Sequence, residues 1–272
     1  MAVYYEEIPE SLIQWILEQK LFWVATAPLS GQGHVNVSPK GGDKFFGVPD
    51  RKTFWYMEMS GSGIETISHI YEPGNGRVTI LFNAFDGPPR ILRLYGTGRT
   101  LERGTAEYDQ WVEKHNVQTL PGSRSIIIVD VHQAGTSCGF SVPFYDFKEF
   151  RQTLNEFYER KEKKYLEGNE QENIDRYWAY KNTWSIDGLP GMKAATRTAE
   201  KKVVAPVKKM VGAYATPAYK SPSDSFSLEQ VMIVFLVAFI AGALAVTLSP
   251  VLLTRSSPNM VEQLKSFVSK AP

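Results

Sequence analysis

Six short runs between residues 21 and 132 alternate apolar and polar side chains, and this period of two most constrains the fold. Such alternation is typical of strands that bury one face. Turn residues, mainly glycine, separate most of the runs. Short strands at this spacing favour a closed or nearly closed antiparallel barrel. The runs are LFWVATAP, GHVNVSP, TFWYMEM, RVTILFNAF, RILRLYGTGRTL and SIIIVDVH.

Helical periodicity appears before, between and after these runs. The spacing of apolar residues predicts an amphipathic helix from about Ile8 to Leu17 and a short helix from about Ile64 to Ile70. The stretch AEYDQWVEKHNV predicts another, and residues 146–181 predict helices on the outside of the barrel. With a net charge of +1, the chain has no global field to attract nucleic acid. Its four histidines are too widely spaced to predict a metal site.

The composition changes after residue 192. Residues 193–226 hold seven basic and two acidic side chains, and their apolar residues are too sparse to form a core. This segment predicts a flexible basic linker.

The 25 residues 230–254 carry no charge. As a helix they would extend about 37 Å, which is enough to cross a bilayer. A transmembrane helix is therefore predicted over residues 227–254, with a buried core helix as the alternative, and residues 255–272 form a short tail. Because the basic linker precedes the span, the barrel should be cytosolic. The result would be a tail-anchored protein of the endoplasmic reticulum or the mitochondrial outer membrane.

Three stretches could carry a binding site. In VNVSPK, alternation should turn Val35 and Val37 to the core and Asn36 and Ser38 to the other face, with Lys40 on the same parity. An amide, a hydroxyl and an ammonium on one face could bind an anion or the polar edge of a heterocycle. An ordinary solvent-facing strand end is the alternative.

The stretch SGSGIET leads into the short predicted helix. Gly63 would let the backbone approach a ligand, and the free amides of the helix start, with the hydroxyls of Ser62 and Thr66, could bind an anion. The alternative is a capping box, with Ser62 as N-cap and Glu65 three residues on.

The stretch GPPRILRLYGTGR supplies two arginines on opposite faces of one strand. Arg90 would share a face with Leu92 and Leu94, and Arg93 would lie on the other. Either guanidinium could bind a phosphate or carboxylate, or form an outward salt bridge.

Taken in order, VNVSPKGGD, SGSGIETISHIYEPGNGRVTILF and PPRILRLYGTGR resemble the pyridoxamine 5′-phosphate oxidase-like proteins of the flavin-binding split-barrel fold. The resemblance implies a mainly β (α+β) domain over residues 1–192, a six-stranded antiparallel split β-barrel with flanking helices. It also implies a homodimer with FMN between the subunits. The implied FMN-binding residues are Asn36, Ser38, Lys40, Ser62, Gly63, Thr66, Arg90 and Arg93.

Two departures from the family pattern bear on activity. The basic pair expected at the helix start is replaced by Ile64 and Glu65, and an arginine-rich C-terminal substrate segment is replaced by the lysine-rich linker. Vitamin B6 oxidation is therefore not expected. The prediction is a membrane-anchored FMN-dependent oxidoreductase, with its substrate and catalytic residues unknown. A non-catalytic FMN- or haem-binding module and a ligand-free structural dimer remain the alternatives.

Overall fold

The computed structural model describes residues 2–209, 232–233 and 235–243. The described residues fall into two units, with residues 2–209 in the first and residues 232–233 and 235–243 in the second. The described part of the first unit contains eight strands and six α-helices. The strands are β1 Val3–Tyr5, β2 Leu21–Thr26, β3 Asn36–Gly41, β4 Phe46–Asp50, β5 Thr53–Met59, β6 Arg77–Asn83, β7 Ile91–Glu102 and β8 Ser123–Ser137. The helices are α1 Glu10–Glu18, α2 Glu65–Tyr71, α3 Ala106–Lys114, α4 Thr153–Leu166, α5 Ile174–Lys181 and α6 Lys193–Lys202.

All the strands join one antiparallel sheet. Its path runs β3-β2-β6-β7-β8-β5-β4, and β1 pairs beside this path with β8. The six predicted runs correspond to β2, β3, β5, β6, β7 and β8. The prediction of six strands was therefore wrong, because it missed β1 and β4. The sequence of β4, FGVPD, does not predict a strand, because glycine and proline are depleted in sheets. Pro49 is tolerated there because β4 ends the path.

The sheet curls until its two ends approach each other through aromatic side chains. The ring centroids of Phe22 in β2 and Phe46 in β4 lie 5.1 Å apart, and those of Phe22 and Phe54 lie 5.4 Å apart. The result is a mainly antiparallel half-barrel with flanking helices, as predicted. Its interior is filled by large buried side chains, among them Phe22, Val24, Phe54, Ile80, Phe82, Leu92, Leu94 and Ile127.

Helices close both sides of the sheet. The predicted N-terminal helix is α1, which buries Leu12 and Ile16 against the interior core. The predicted AEYDQWVEKHNV helix is α3, whose Tyr108 packs with Trp55 and Ile126 in a second cluster. Because Trp55 and Tyr56 are neighbours on β5 and belong to different clusters, the two cores lie on opposite faces of the sheet.

Residues 193–202 form α6, where the sequence predicted the start of a flexible linker. The carboxylate of Glu102 accepts hydrogen bonds from the backbone amides of Lys193 (2.7 Å) and Ala194 (2.9 Å). These are two of the amides that a helix start leaves without an internal partner. Ala195 is fully buried, so α6 packs on the domain despite its charged sequence.

Most of the remaining C-terminal predictions lie outside the described residues. This holds for linker residues 210–226, for the tail 255–272, and for all of the span 227–254 except residues 232–233 and 235–243, which are helical. Among the residues that the structure describes, no helix is long and apolar enough to cross a membrane.

Candidate functional site

Strand β3 turns the opposite face inward from the one predicted. Val35 and Val37 are 72% and 58% exposed, whereas Asn36, Ser38 and Lys40 are half-buried. In the register with β2, Asn36 lies opposite Thr26, Ser38 opposite Val24 and Lys40 opposite Phe22, and all three β2 residues are buried. The alternation was predicted correctly and the buried face wrongly. The polar side chains can face inward because each finds a partner there.

Three of the predicted site residues form one hydrogen-bonded group. The Asn36 amide donates to the hydroxyl of Thr66 at 3.0 Å and accepts from the hydroxyl of Ser38 at 3.1 Å. Strand β3 and helix α2 are thereby joined next to Thr26, whose hydroxyl lies 2.9 Å from Nδ1 of His69. Thr66 is buried, so its hydroxyl fixes the Asn36 side chain from the interior of the protein.

Lys40, the predicted flavin-contacting cation, is paired inside the domain. Its Nζ donates to Oε1 of Glu58 at 2.9 Å, and the same oxygen accepts from Arg124 at 2.8 Å. Glu58 and Arg124 are almost fully buried. Burial alone would raise the pKa of the Glu58 carboxyl, but the cations of Lys40 and Arg124 together hold that pKa below its ordinary value. Lys40 is therefore engaged in an ion pair with Glu58, which it shares with Arg124.

The turn before α2 is held open by the same arginine. Arg124 donates to the carbonyl of Gly63 at 2.8 Å, and Asn182 donates to the carbonyl of Gly61 at 2.9 Å. Trp178 of α5 completes the support by donating to Ser60 at 2.8 Å. The turn therefore presents the exposed residues Ser62 and Gly63 outward on a rigid base.

The start of α2 is not the open anion site that the sequence predicted. Oε2 of Glu65 accepts from the backbone amide of Ile64 at 2.9 Å, so a carboxylate of the protein already occupies this position. The capping-box alternative was also wrong in detail, because the helix is preceded by Ile64 and has no side-chain cap from Ser62.

The two predicted arginines lie apart from this group. The guanidinium of Arg90 lies 5.1 Å from the ring centre of Trp15 in α1. Arg93 lies on the other face of β7, opposite Leu81 of β6 and Gly135 of β8. Both are described residues, and neither lines the cavity to which Asn36, Ser62 and Gly63 contribute.

That cavity has a volume of about 520 Å³ and is bounded on one side by β3 and the turn before α2. Its other side is formed by α5 and by residues that follow α6. The polar and basic residues that line it include Asn36, Ser62, Gly63, Lys181, Lys208 and Lys209.

A short strap, residues 204–209, carries two of these lysines. It begins after Val203, whose φ of 49° ends α6 in the left-handed region. The backbone amide of Val207 then donates to the carbonyl of Tyr180 at 2.9 Å, which fixes the strap along the end of α5. Sequence reasoning missed this contribution because Lys208 and Lys209 were read as part of the flexible basic linker.

Lys209 is the most unusual side chain of the cavity. It is 13% exposed, and its Nζ is buried without a hydrogen-bond partner among the described atoms. The nearest carboxylate oxygen, Oε1 of Glu65, lies 3.9 Å away. Burial lowers the pKa of Lys209 to about 8, although Glu65 opposes this shift.

The loop between α5 and α6 is tied to the start of β3. Asp187 accepts from the backbone amide of His34 at 2.8 Å, and its other oxygen lies 2.6 Å from Nδ1 of His34. On its inner side, Asp187 lies 4.0 Å from Nε2 of the fully buried His69. Burial lowers the pKa of His69, an effect that outweighs the opposing attraction of Asp187. These contacts fix the loop that leads into α6 and the strap.

Taken together, the antiparallel half-barrel and its flanking helices place this chain in the split-barrel class of folds. The pyridoxamine 5′-phosphate oxidase family protein ustO of Aspergillus flavus is 39% identical to it over 210 residues, which cover 72% of this chain and 80% of that protein. The chain belongs to the pyridoxamine 5′-phosphate oxidase family. No family model matches it.

Solved structures with a similar fold are more distant. HupZ of Group A Streptococcus is 23% identical, with a TM-score of 0.34, over 46% of this chain and 90% of that one. The FAD-binding protein of Mycobacterium smegmatis is 12% identical, with a TM-score of 0.33, over 49% of this chain and 97% of that one.

Proposed function

We propose that this chain binds FMN in the 520 Å³ cavity and acts as an FMN-dependent oxidoreductase. The observation that carries the proposal is the meeting of Asn36 with the Ser62–Gly63 turn on the wall of one cavity, in a member of this family. The volume lies within the range of roughly 300–1,000 Å³ typical of small-molecule sites.

The residues of the cavity fit the two polar parts of FMN. The Asn36 amide can bind the edge of a heterocycle, and the cationic side chains can bind a phosphate. When bound, the flavin would supply hydride or electron transfer. The chain itself would bind and orient it, and Asn36 is fixed in place by the hydrogen bond it donates to Thr66 and the one it accepts from Ser38.

A homodimer is part of this proposal. The exposed Val35 and Val37 lie on the outer face of β3, where burial against a second copy would remove them from water. A groove of about 370 Å³, lined by Val35, Ala25 and Tyr95, continues this face across the sheet. A second copy on this face would enclose a flavin more completely than one subunit can.

We also propose that the chain is anchored in a membrane through residues 230–254, with the half-barrel on the cytosolic side. The support is the sequence of 25 uncharged residues that follows a basic segment. Protease added to intact organelles should then remove the whole domain, and a protected domain would overturn the orientation.

The purified full-length chain tests the central proposal. We expect a yellow protein with the absorption bands of oxidised flavin, or a colourless one whose thermal stability rises when FMN is added, because a ligand of the native state stabilises it. Reduction of the bound flavin by a nicotinamide nucleotide would support the oxidoreductase. Bound flavin without reduction by any donor would favour a binding module, and the absence of any FMN effect would favour a structural dimer.

A further inference from the structure

We infer that the strap, residues 204–209, supplies the phosphate-binding charge of the site through Lys209, supported by Lys181 and Lys208, and so makes the site select phosphorylated over unphosphorylated flavin. This inference rests on the proposed function. It assigns to the segment after α6 a role that neither β3 nor the start of α2 can fill.

The other cations considered for this site do not supply its positive charge. Lys40 is hydrogen-bonded to the buried Glu58, and the start of α2 carries the Glu65 carboxylate in place of a basic side chain. Neither Arg90 nor Arg93 lines the cavity. A dianionic phosphate therefore needs its counter-charge from another part of the chain.

The cavity itself has more basic than acidic side chains. Lys181, Lys208 and Lys209 line it, and among the described residues Glu65 is the carboxylate that lines it with them. These three lysines and one carboxylate leave a formal surplus of two positive charges. A phosphate monoester carries about −1.5 to −2 at neutral pH, which matches this surplus.

Lys209 has a buried ammonium group without a hydrogen-bond acceptor among the described atoms. Its ammonium has three donors, yet its buried Nζ has no hydrogen-bond acceptor among the described atoms, and Glu65 at 3.9 Å is too far to accept a good one. A buried charge without hydrogen bonds is unfavourable. Phosphate oxygens in the cavity would supply the missing acceptors, whereas riboflavin has no such group to offer.

The experiment compares FMN with riboflavin on the full-length chain, with flavin fluorescence quenching as the binding signal. Lys209→Met should weaken FMN binding roughly tenfold to hundredfold, as for the loss of a charge-assisted hydrogen bond, and leave riboflavin binding unchanged. Glu65→Gln should act in the opposite direction and tighten FMN binding, because the phosphate no longer competes with a carboxylate for Lys209. Lys201→Met, on the exposed surface of α6, is the matched control and should change neither affinity.

Circular dichroism of each variant verifies its fold, and Lys209→Arg, which keeps the charge, should retain most of the preference for FMN. Equal weakening of FMN and riboflavin by Lys209→Met would overturn the inference, because it would indicate a structural role. An unchanged FMN affinity in that variant would overturn it while leaving the proposed function intact. A wild-type chain that binds neither flavin would overturn both.

Discussion

Two lysines of this protein lie near carboxylates, and Lys40 is hydrogen-bonded to its neighbour whereas Lys209 is not. Lys40 lies on the inner wall of the half-barrel, where it donates a hydrogen bond to Glu58 at 2.9 Å, and Glu58 also accepts one from Arg124. Lys209 lies in the cavity under the strap, where Glu65 is 3.9 Å away and Nζ has no hydrogen bond among the described atoms. The first pair is joined by a direct hydrogen bond, and the second is not. A buried ammonium without an acceptor is what the proposed phosphate site requires.

The largest effect should follow from removing the carboxylate of the hydrogen-bonded pair, Lys40 and Glu58. Glu58→Gln leaves the charges of Lys40 and Arg124 facing each other without a counter-ion, and we expect a loss of about 3–5 kcal/mol in the free energy of unfolding. Glu65→Gln is the comparison variant and should cost less than Glu58→Gln, because glutamine can still accept from the amide of Ile64 and the Glu65 carboxylate makes no direct hydrogen bond to Lys209. Urea denaturation of both variants measures the difference, and equal losses would contradict the comparison.

The second-largest difference in stability is expected between variants of the two lysines. Lys40→Met removes a hydrogen-bond donor from the buried Glu58 and should cost about 1–3 kcal/mol. Lys209→Met removes a buried ammonium that lacks an acceptor and should be close to neutral or stabilising in the absence of flavin. Thermal unfolding of the flavin-free chain provides the measurement. A larger loss for Lys209→Met would show that its pairing with Glu65 is as strong as that of Lys40 with Glu58.

The pH dependence of stability should separate the wild type from Lys209→Met. The pKa of Lys209 is lowered to about 8 in the folded chain, against 10.5 for an ordinary lysine. Between these values the unfolded chain binds more protons, so the stability of the wild type should rise with pH relative to the variant. Denaturation of both chains at several pH values from 7 to about 10.5 measures the difference. A constant difference across this window would mean that Lys209 is solvated like an ordinary lysine.

The smallest effect concerns the turn that directs the strap toward the cavity. Val203 has a φ of 49°, a conformation that costs a β-branched residue roughly 1–2 kcal/mol. We expect Val203→Gly to stabilise the chain by up to about 1 kcal/mol, since glycine adopts this φ without strain but loses more entropy on folding. Gly104→Ala, at a φ of 86° in open space, is the reverse control and should destabilise by a similar amount. A destabilised Val203→Gly would show that the valine side chain itself contributes to the turn.

Much of the candidate site could be predicted from the sequence because its residues lie in two short motifs. Asn36, Ser38 and Thr66 were predicted and do come together, since VNVSPK has the period of a strand and SGSGIET precedes a helix. Lys40 was predicted as a ligand-binding cation. Its partner Glu58 lies in a run, TFWYMEM, whose single acidic residue gave no sign of being buried beside Arg124. Pairing between residues distant in sequence leaves no periodic pattern to find.

By itself, the sequence determined most of the elements, namely β2, β3, β5–β8 and the helices α1–α5, and the family to which they belong. These depend on local alternation, helical spacing and turn residues, which act within a few residues of the chain. The tertiary structure alone decided which face of β3 is buried, since alternation fixes two faces but not which of them finds partners. It also decided that Lys209 reaches a cavity built around Asn36. That meeting depends on the capping of α6 by Glu102 and on the packing of α5 against the turn at Ser60, both contacts between segments far apart in the chain.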